Sequence, residues 1–153
     1  VVLRPHPITL KKKLKLINQI NEMFVKSNKF KLDTNLNSLD SILNSDIMIS
    51  DWSGSAIEFA FGLEKPVLFI NTEKKILNKN YKILKIIPIE IFIRKKIGKL
   101  IKVSQIDEID KHVNSLISKK DFWKKKIMFE SKKWLFTKNK SGEKIAKFLK
   151  EET

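Results

Sequence analysis

Residues Asp46 to Ile70 read DIMISDWSGSAIEFAFGLEKPVLFI, and this stretch decides the fold class. The apolar run Ile47 to Ile49 predicts a compact buried strand, and the small polar residues from Ser50 to Ser55 predict a turn. A helix is expected from there to Phe61, and a second strand from Val67 to Ile70. Because two short strands joined through a helix cannot form a hairpin, the pattern favours parallel strands.

The segments on both sides of this stretch continue the alternation of strands and helices. The order predicts an α/β fold, with a Rossmann-like parallel sheet and helices on both faces. Since no Gly/Ser linker interrupts the chain, residues 1–153 are expected to form one domain. The expected strands are Val1 to Leu3, Phe30 to Leu32 and one near Leu100 to Val103. The expected helices are Thr9 to Lys26, Leu36 to Leu43, a helix before Gly62, one starting at Ser104, Phe122 to Phe136 and Ser141 to Lys150.

Composition and charge restrict the class of protein. A chain of 153 residues with 42% hydrophobic residues can bury an ordinary core. With no cysteine and two histidines it has neither disulfides nor a set of zinc ligands, and we predict no metal site. The net charge of +15 is almost entirely lysine, because only Arg4 and Arg94 are arginine. Since nucleic-acid readers depend on arginine, no nucleic-acid partner is expected, whereas an anionic membrane surface fits.

The turn Ser53-Gly54-Ser55 is the clearest candidate for a binding site. It precedes a helix whose unpaired N–H groups and dipole favour an anion, and it lies where a parallel sheet binds its ligands, at the carboxyl ends of the strands. Gly54 allows an anion to approach the backbone, and the two serines supply hydroxyl donors. Ser55 and Glu58 also match a capping box that only satisfies the helix end, and this alternative stays open.

His6 is the second candidate. Its imidazole is the side chain best suited to accept a hydroxyl proton near neutral pH. It follows the first strand between Pro5 and Pro7, and we expect it at the same sheet edge as the Ser53 turn. A loop histidine bonded to the backbone is the structural alternative. The sequence contains no P-loop, G-x-G-x-x-G, H-E-x-x-H or G-x-S-x-G motif, so it does not support the chemistry of those motifs.

Three motifs together carry a resemblance to a known family. R-P-H-P at residues 4–7, S-D-W-S-G-S-A-I-E-F-A at 50–60 and K-P-V-L-F at 65–69 resemble the C-terminal half of the CDP-glycerol glycerophosphotransferases, the polymerases and primases of teichoic acid. A weaker similarity covers residues 94–103 and K-S-G-E-K-I at residues 140–145. The chain departs from the family pattern with Trp52 instead of Tyr, Gly54 instead of Ser, Glu58 instead of Asp and Lys144 instead of Arg.

The resemblance implies the C-terminal, nucleotide-binding half of a GT-B fold, taken from a longer protein whose N-terminal acceptor-side domain is absent. It implies that Ser53, Gly54 and Ser55 hold the pyrophosphate of a CDP-linked donor, that Glu58 binds the ribose and that Asp51 braces the turn. The donor is a CDP-alditol or a related nucleotide, and no separate cofactor is required.

The resemblance also implies catalytic residues. His6 would assist attack of an acceptor hydroxyl on the donor phosphorus, with Arg4 nearby for charge. The enzyme would transfer an alditol phosphate to a teichoic acid or capsule-like polymer, and this fragment alone would bind nucleotide without turnover. The acceptor would be a lipid-linked anionic polymer at the cytoplasmic face of the cell membrane, with the enzyme peripheral to that membrane.

Two other functions remain open on the sequence. The turn is also similar to the S-G-G-x-x-E-E turn of UDP-N-acetylglucosamine 2-epimerases and other GT-B enzymes, which favours a UDP-sugar glycosyltransferase or epimerase. A basic domain with a degenerate nucleotide site, which binds membrane or polyanion through its lysines, is the other alternative.

The segment Asp121 to Phe136 carries two apolar stripes at helical spacing. If both stripes are buried, the helix packs on two sides. Alternatively, its aromatic residues enter a membrane interface while the lysines between them meet anionic headgroups. The two stripes consist of Trp123, Ile127 and Trp134 on one side and Phe122, Phe129 and Phe136 on the other.

In the last helix Ile145, Phe148 and Leu149 are expected to face the core.

Overall fold

The strands and helices of the chain follow the α/β order expected from its sequence. The computed structural model describes residues 1–35, 39–73, 80, 83, 85, 87–135, 137 and 140–151. These residues divide into two units, Val1–Ser45 and Asp46–Thr153. The described strands pair in parallel as one two-stranded and one three-stranded sheet, so the α/β class is confirmed but the strands do not join in one sheet. The single domain over residues 1–153 stays a prediction.

The unit Val1–Ser45 holds the smaller sheet. Strand β1 (Val2–Leu3) pairs with β2 (Lys31–Leu32), and helices α1 (Pro7–Lys12), α2 (Leu14–Phe24) and α3 (Asp40–Leu43) complete the unit. Residues 36–38 of the predicted helix Leu36 to Leu43 lie outside the described residues.

The predicted helix from Thr9 to Lys26 is wrong at its start and in its continuity. It begins at Pro7, because a proline in the first helical turn has no N–H to leave unpaired. It is also interrupted at Lys13, whose φ of −133° and ψ of 31° are not helical.

The unit Asp46–Thr153 holds the larger sheet in the strand order β3-β4-β5. In chain order its elements are β3 (Met48–Ser50), α4 (Ser55–Leu63), β4 (Val67–Asn71), α5 (Ile89–Phe92), α6 (Arg94–Ile97), β5 (Gly98–Lys102), a 3₁₀ helix (Val103–Glu108), α7 (Ile109–Ser118), α8 (Lys120–Trp134) and α9 (Ser141–Glu151).

Helices cover both faces of this sheet around the central strand β4. Leu68 packs in one cluster with Leu116 of α7, whereas Phe69 lies under Arg94 of α6. Because successive strand residues point to opposite faces, α7 and α6 lie on opposite sides of the sheet. Gly98 of β5 is required where the two strands meet, because a Cβ at this position would lie 1.8 Å from the carbonyl oxygen of Val67.

Several local expectations in this unit are wrong for reasons of packing. Strand β3 is not fully buried, since it is an edge strand and Ile49 is 44% exposed. Helix α4 runs past Gly62 to Leu63, and its C-cap Glu64 adopts a left-handed conformation with φ 58°. The chain between Ile70 and Leu100, for which no helix is predicted, contains α5 and α6, and β5 begins earlier than predicted, at Gly98.

The C-terminal helices also differ from the sequence expectation. Helix α8 begins at Lys120, two residues before the predicted start at Phe122, and no side-chain hydrogen bond caps it. The bounds of α9 agree with the prediction to within one residue. Its apolar residues do not face the core, however, because Ile145, Phe148 and Leu149 are 59%, 60% and 58% exposed.

Candidate functional site

The turn between β3 and α4 lies at the carboxyl edge of the three-stranded sheet. Parallel pairing sets Ser50, the last residue of β3, beside Phe69 in the middle of β4, and the turn follows the carboxyl end of β3 as predicted. Within the described residues, the backbone N–H groups of Gly54 and Ser55 donate to no protein acceptor. The hydroxyls of Ser53 and Ser55 lie 2.7 Å apart. This start of α4 therefore offers backbone and hydroxyl donors together with the positive end of the helix dipole.

Gly54 leaves the backbone of this turn open. A Cβ built at Gly54 would meet no atom within 4 Å, and its φ of −61° and ψ of −32° are ordinary helical values. The backbone therefore does not require glycine here, whereas the close approach of a ligand would benefit from it.

The capping box read from Ser55 and Glu58 does not form. Helix α4 begins after Gly54 without any side-chain cap hydrogen bond, and Glu58 is exposed. Ser55 is hydrogen-bonded to Ser53 instead. Neither side chain therefore caps the helix, so the interpretation of Ser55 and Glu58 as a capping box is wrong.

Arg94 is a residue of this edge that the sequence analysis did not identify as a site residue. It is 2% exposed, and its guanidinium lies 3.8 Å from the ring centroid of Trp52 and 5.0 Å from that of Phe69. One terminal nitrogen donates to Asn71 Oδ1 at 3.2 Å, and the other donates to the carbonyl oxygen of Ile70 at 3.3 Å. Arg94 thus joins the end of β4 to the residue that precedes Ser53.

The charged guanidinium of Arg94 is buried and incompletely paired. Desolvation lowers the pKa of its guanidinium from the ordinary value, and the carboxylate of Asp51 opposes that shift. Its buried Nε has no hydrogen-bond partner in the described part of the chain. A buried, incompletely paired cation is unfavourable for stability, so its presence at the carboxyl edge favours a role in binding negative charge.

A small depression collects the side chains of this edge. It brings Asp51 and Ser53, two of the predicted site residues, together with residues that the sequence analysis did not single out. Gly54, Ser55 and Glu58 lie next along the chain but do not line it. The lining residues are Asp51, Trp52, Ser53, Ile57, Phe69, Glu90 and Arg94.

A signal for Arg94 does exist in the sequence. Of the 32 cationic residues of the chain, only those at positions 4 and 94 are arginine. A planar guanidinium can stack on an aromatic ring while it donates in its own plane, which an ammonium cannot do. The rarity of arginine therefore marks both positions as ones where lysine does not suffice.

His6 lies in the other unit and caps helix α1. Its Nδ1 accepts a hydrogen bond from the backbone N–H of Ile8 at 3.2 Å. Because Nδ1 accepts, the neutral ring carries its proton on Nε2 in this arrangement. Strand β1, which precedes His6, pairs with β2, so the expectation that His6 and the Ser53 turn share the edge of one sheet is wrong.

Arg4 is engaged in an ion pair within the same unit. Its Nη1 lies 2.6 Å from Asp33 Oδ2, and the hydroxyl of Ser41 donates to the same oxygen. The hydrogen bond from Ser41 is the main cause that holds the pKa of Asp33 below its ordinary value, although burial opposes it, and Asn35 and Arg4 add to it. Arg4 therefore has a structural partner in Asp33.

The two apolar stripes of α8 have different environments. Ile127 is fully buried, whereas Phe122 and Phe129 are 59% and 62% exposed. Lys133 lies 4.2 Å from the ring centroid of Phe129, and Lys126 lies 5.9 Å from that of Phe122. The expectation that both stripes are buried is wrong for these two phenylalanines and for Trp134 of the first stripe, which is 41% exposed. Phe136 lies outside the described residues.

Searches for metal ligands and membrane spans in the described residues give no candidate. No group of three or more histidine and carboxylate side chains there could hold a metal ion. None of the helices described is long and apolar enough to cross a membrane.

Comparison with known proteins gave no identification. No protein-family model, no curated protein and no solved structure matches the chain. Only the α/β class therefore rests on the structure, and the resemblance to CDP-glycerol glycerophosphotransferases stays a prediction.

Proposed function

We propose that the unit Asp46–Thr153 binds the diphosphate of a CDP-linked donor at the start of α4, in a transferase that moves an alditol phosphate to a polymer hydroxyl. One observation carries the proposal: the N–H groups of Gly54 and Ser55 and the hydroxyls of Ser53 and Ser55 are grouped at the carboxyl edge of a parallel sheet. Oxyanions bind at such helix starts, and ligands of open α/β sheets bind at this edge.

Each residue of the edge would contribute to binding in a different way. Ser53, Gly54 and Ser55 would hold the diphosphate, and the buried cation of Arg94 would lower the electrostatic cost of bringing it to the edge. The carboxylate of Asp51 opposes the lowering of the Arg94 pKa by desolvation and so favours the charged guanidinium. Glu58 would reach the ribose from the next turn of α4.

The reaction forms one phosphorus–oxygen bond and breaks another. The acceptor hydroxyl oxygen attacks the donor phosphorus that carries the alditol, the bond to the oxygen of CMP breaks, and CMP leaves. The hydroxyl proton passes to a base, for which His6 is the candidate. Such a transfer depends mostly on positioning and on neutralising the developing charge, which is a task for Arg94 and the start of α4.

The experiment is calorimetric titration of the chain with CDP, UDP and pyrophosphate. We expect CDP to bind, and Ser53→Ala to weaken binding by about 1 to 2 kcal/mol, the scale of one hydrogen bond to a charged group. Ser118→Ala is the matched control, because its exposed hydroxyl lies in α7 and bonds only to the carbonyl of Ser115. Absence of binding, or equal affinity in wild type and Ser53→Ala, contradicts the proposal, and tighter binding of UDP favours the sugar-nucleotide alternative.

An anionic membrane surface is the second partner that we propose. The exposure of Phe122 and Phe129, each with a lysine ammonium over its ring, is the observation that favours it. Docking of α8 on the inner face of the cell membrane would hold the enzyme beside a lipid-linked anionic polymer.

A further inference from the structure

Trp52 is an aromatic side chain held in a fixed position beside the proposed diphosphate site. Its indole Nε1–H donates to the carbonyl oxygen of Thr72 at 3.2 Å, and the guanidinium of Arg94 covers one ring face at 3.8 Å. Trp52 directly precedes Ser53 in the chain. Two restraints therefore fix the orientation of a ring next to the predicted phosphate donors.

The ring retains an accessible surface in this position. Arg94 is 2% exposed and lies beneath the ring, whereas Trp52 is only partly buried. The exposed part of the indole is therefore not the part that covers Arg94. A large aromatic ring at a polar sheet edge, with Arg94 against one face and part of its surface accessible, has the features of a stacking surface.

The cost of this arrangement points the same way. The buried guanidinium leaves its Nε without a partner in the described residues, which an apolar residue at position 94 would avoid. Despite this cost, the contact with Arg94 holds the ring of Trp52 in a fixed position. A ring that is already ordered loses little conformational entropy when a ligand stacks on it.

We propose that Trp52, supported by Arg94, stacks on the aromatic base of the ligand whose phosphates lie at the start of α4. This proposal rests on the proposed function and adds the recognition of the base to it. The ligand class is then a nucleoside diphosphate rather than a diphosphate without an aromatic ring. Arg94 acts as a positioning residue for the ring, and Trp52 is the residue that touches the base.

The experiment compares ligands with and without a base. In calorimetry, Trp52→Ala should weaken CDP about tenfold or more, since stacking of one base on an aromatic ring contributes that much. It should leave pyrophosphate affinity within about twofold, because pyrophosphate has nothing to stack. Trp52→Phe, which keeps a ring, should recover most of the CDP affinity.

Fluorescence gives an independent readout. The chain has three tryptophans, at positions 52, 123 and 134, so Trp123→Phe combined with Trp134→Phe leaves Trp52 as the only one. CDP should quench its emission and pyrophosphate should not. Circular dichroism of each variant verifies that it is folded.

The outcomes separate this proposal from the one beneath it. If Trp52→Ala weakens CDP and pyrophosphate equally, the ring only braces the turn, so the stacking role is wrong while the phosphate site stands. If wild type binds pyrophosphate as tightly as CDP, base recognition is likewise absent. If wild type binds neither, the proposed function fails and the stacking role fails with it.

Discussion

At the scale of single residues, His6 shows how one side chain can have two competing tasks. As the cap of α1 it needs an unprotonated Nδ1 to accept from Ile8, which leaves the proton on Nε2. As a general base it needs a nitrogen lone pair free for the acceptor hydroxyl. In the observed arrangement the exposed nitrogen is a donor, so catalysis by His6 requires the cap to open or the proton to move.

Substitution by alanine and by asparagine separates these two tasks in the proposed transferase. His6→Ala removes both, whereas His6→Asn keeps an efficient capping side chain and removes the base. If His6 is the base, both variants should lose about 100-fold in turnover with donor affinity within a fewfold. Steady-state kinetics with a CDP-linked donor and a polymer acceptor measures this. Normal turnover in His6→Asn would assign His6 to the cap alone.

Arg94 and Trp52 show where prediction of the site from sequence stops. The motif at residues 50–60 indicated Ser53, Gly54 and Ser55, because strand, turn and helix start are encoded within a few residues. Arg94 lies 42 positions after Trp52, and their contact depends on the packing of α6 against β4. No local pattern encodes such a contact, and only the rarity of arginine hinted at it.

At the scale of elements, the pairing of β4 with β5 depends on one glycine. In the register, Val67 lies opposite Gly98, and a side chain at position 98 would overlap the backbone of Val67. The contact is with the backbone of a paired strand, which cannot rotate away as a flexible side chain can. The start of β5 is therefore set by a tertiary contact, which explains why the sequence analysis placed this strand two residues too late.

Two glycine substitutions test this pairing. Gly98→Ala should lower the free energy of unfolding by about 2 kcal/mol or more, because overpacking forces the strands apart. Gly62→Ala is the control: it lies in α4 with no atom within 4 Å of an added Cβ, and it should raise stability by about 1 kcal/mol. Urea denaturation followed by circular dichroism measures both. Equal stability of Gly98→Ala and wild type would show that the β4–β5 register is wrong.

At the scale of the whole molecule, the net charge of +15 and the exposed aromatic residues would act together in the proposed binding to an anionic membrane. A positive surface concentrates near anionic lipid, and aromatic side chains then enter the interface. Helix α8 combines both features, because Lys126 and Lys133 lie over the rings of Phe122 and Phe129.

Sedimentation with anionic phosphatidylserine-containing vesicles tests the membrane partner. The protein should bind at low salt and release at high salt, since each lysine near the surface contributes about 1 kcal/mol and salt screens it. Replacement of Lys124, Lys125, Lys126, Lys132 and Lys133 by glutamine should abolish binding. The matched control removes the same charge from the other unit, at the exposed Lys11, Lys12, Lys13, Lys15 and Lys26. Equal losses in the two variants would mean that binding follows net charge and that α8 has no particular role.

The sequence by itself determined the strand–helix–strand order of residues 46–70, the α/β class and the location of the Ser53 turn between a strand and a helix. These features depend on residue periodicity and turn chemistry within about ten neighbouring positions, so the local sequence predicts them. Tertiary structure alone decided that the strands form two sheets, that Ile145 and Phe148 remain exposed, and that Arg94 lies under Trp52. An amphipathic pattern shows that a helix face can be buried. Only packing against distant residues determines what covers that face, because the hydrophobic effect is non-directional and does not specify a partner.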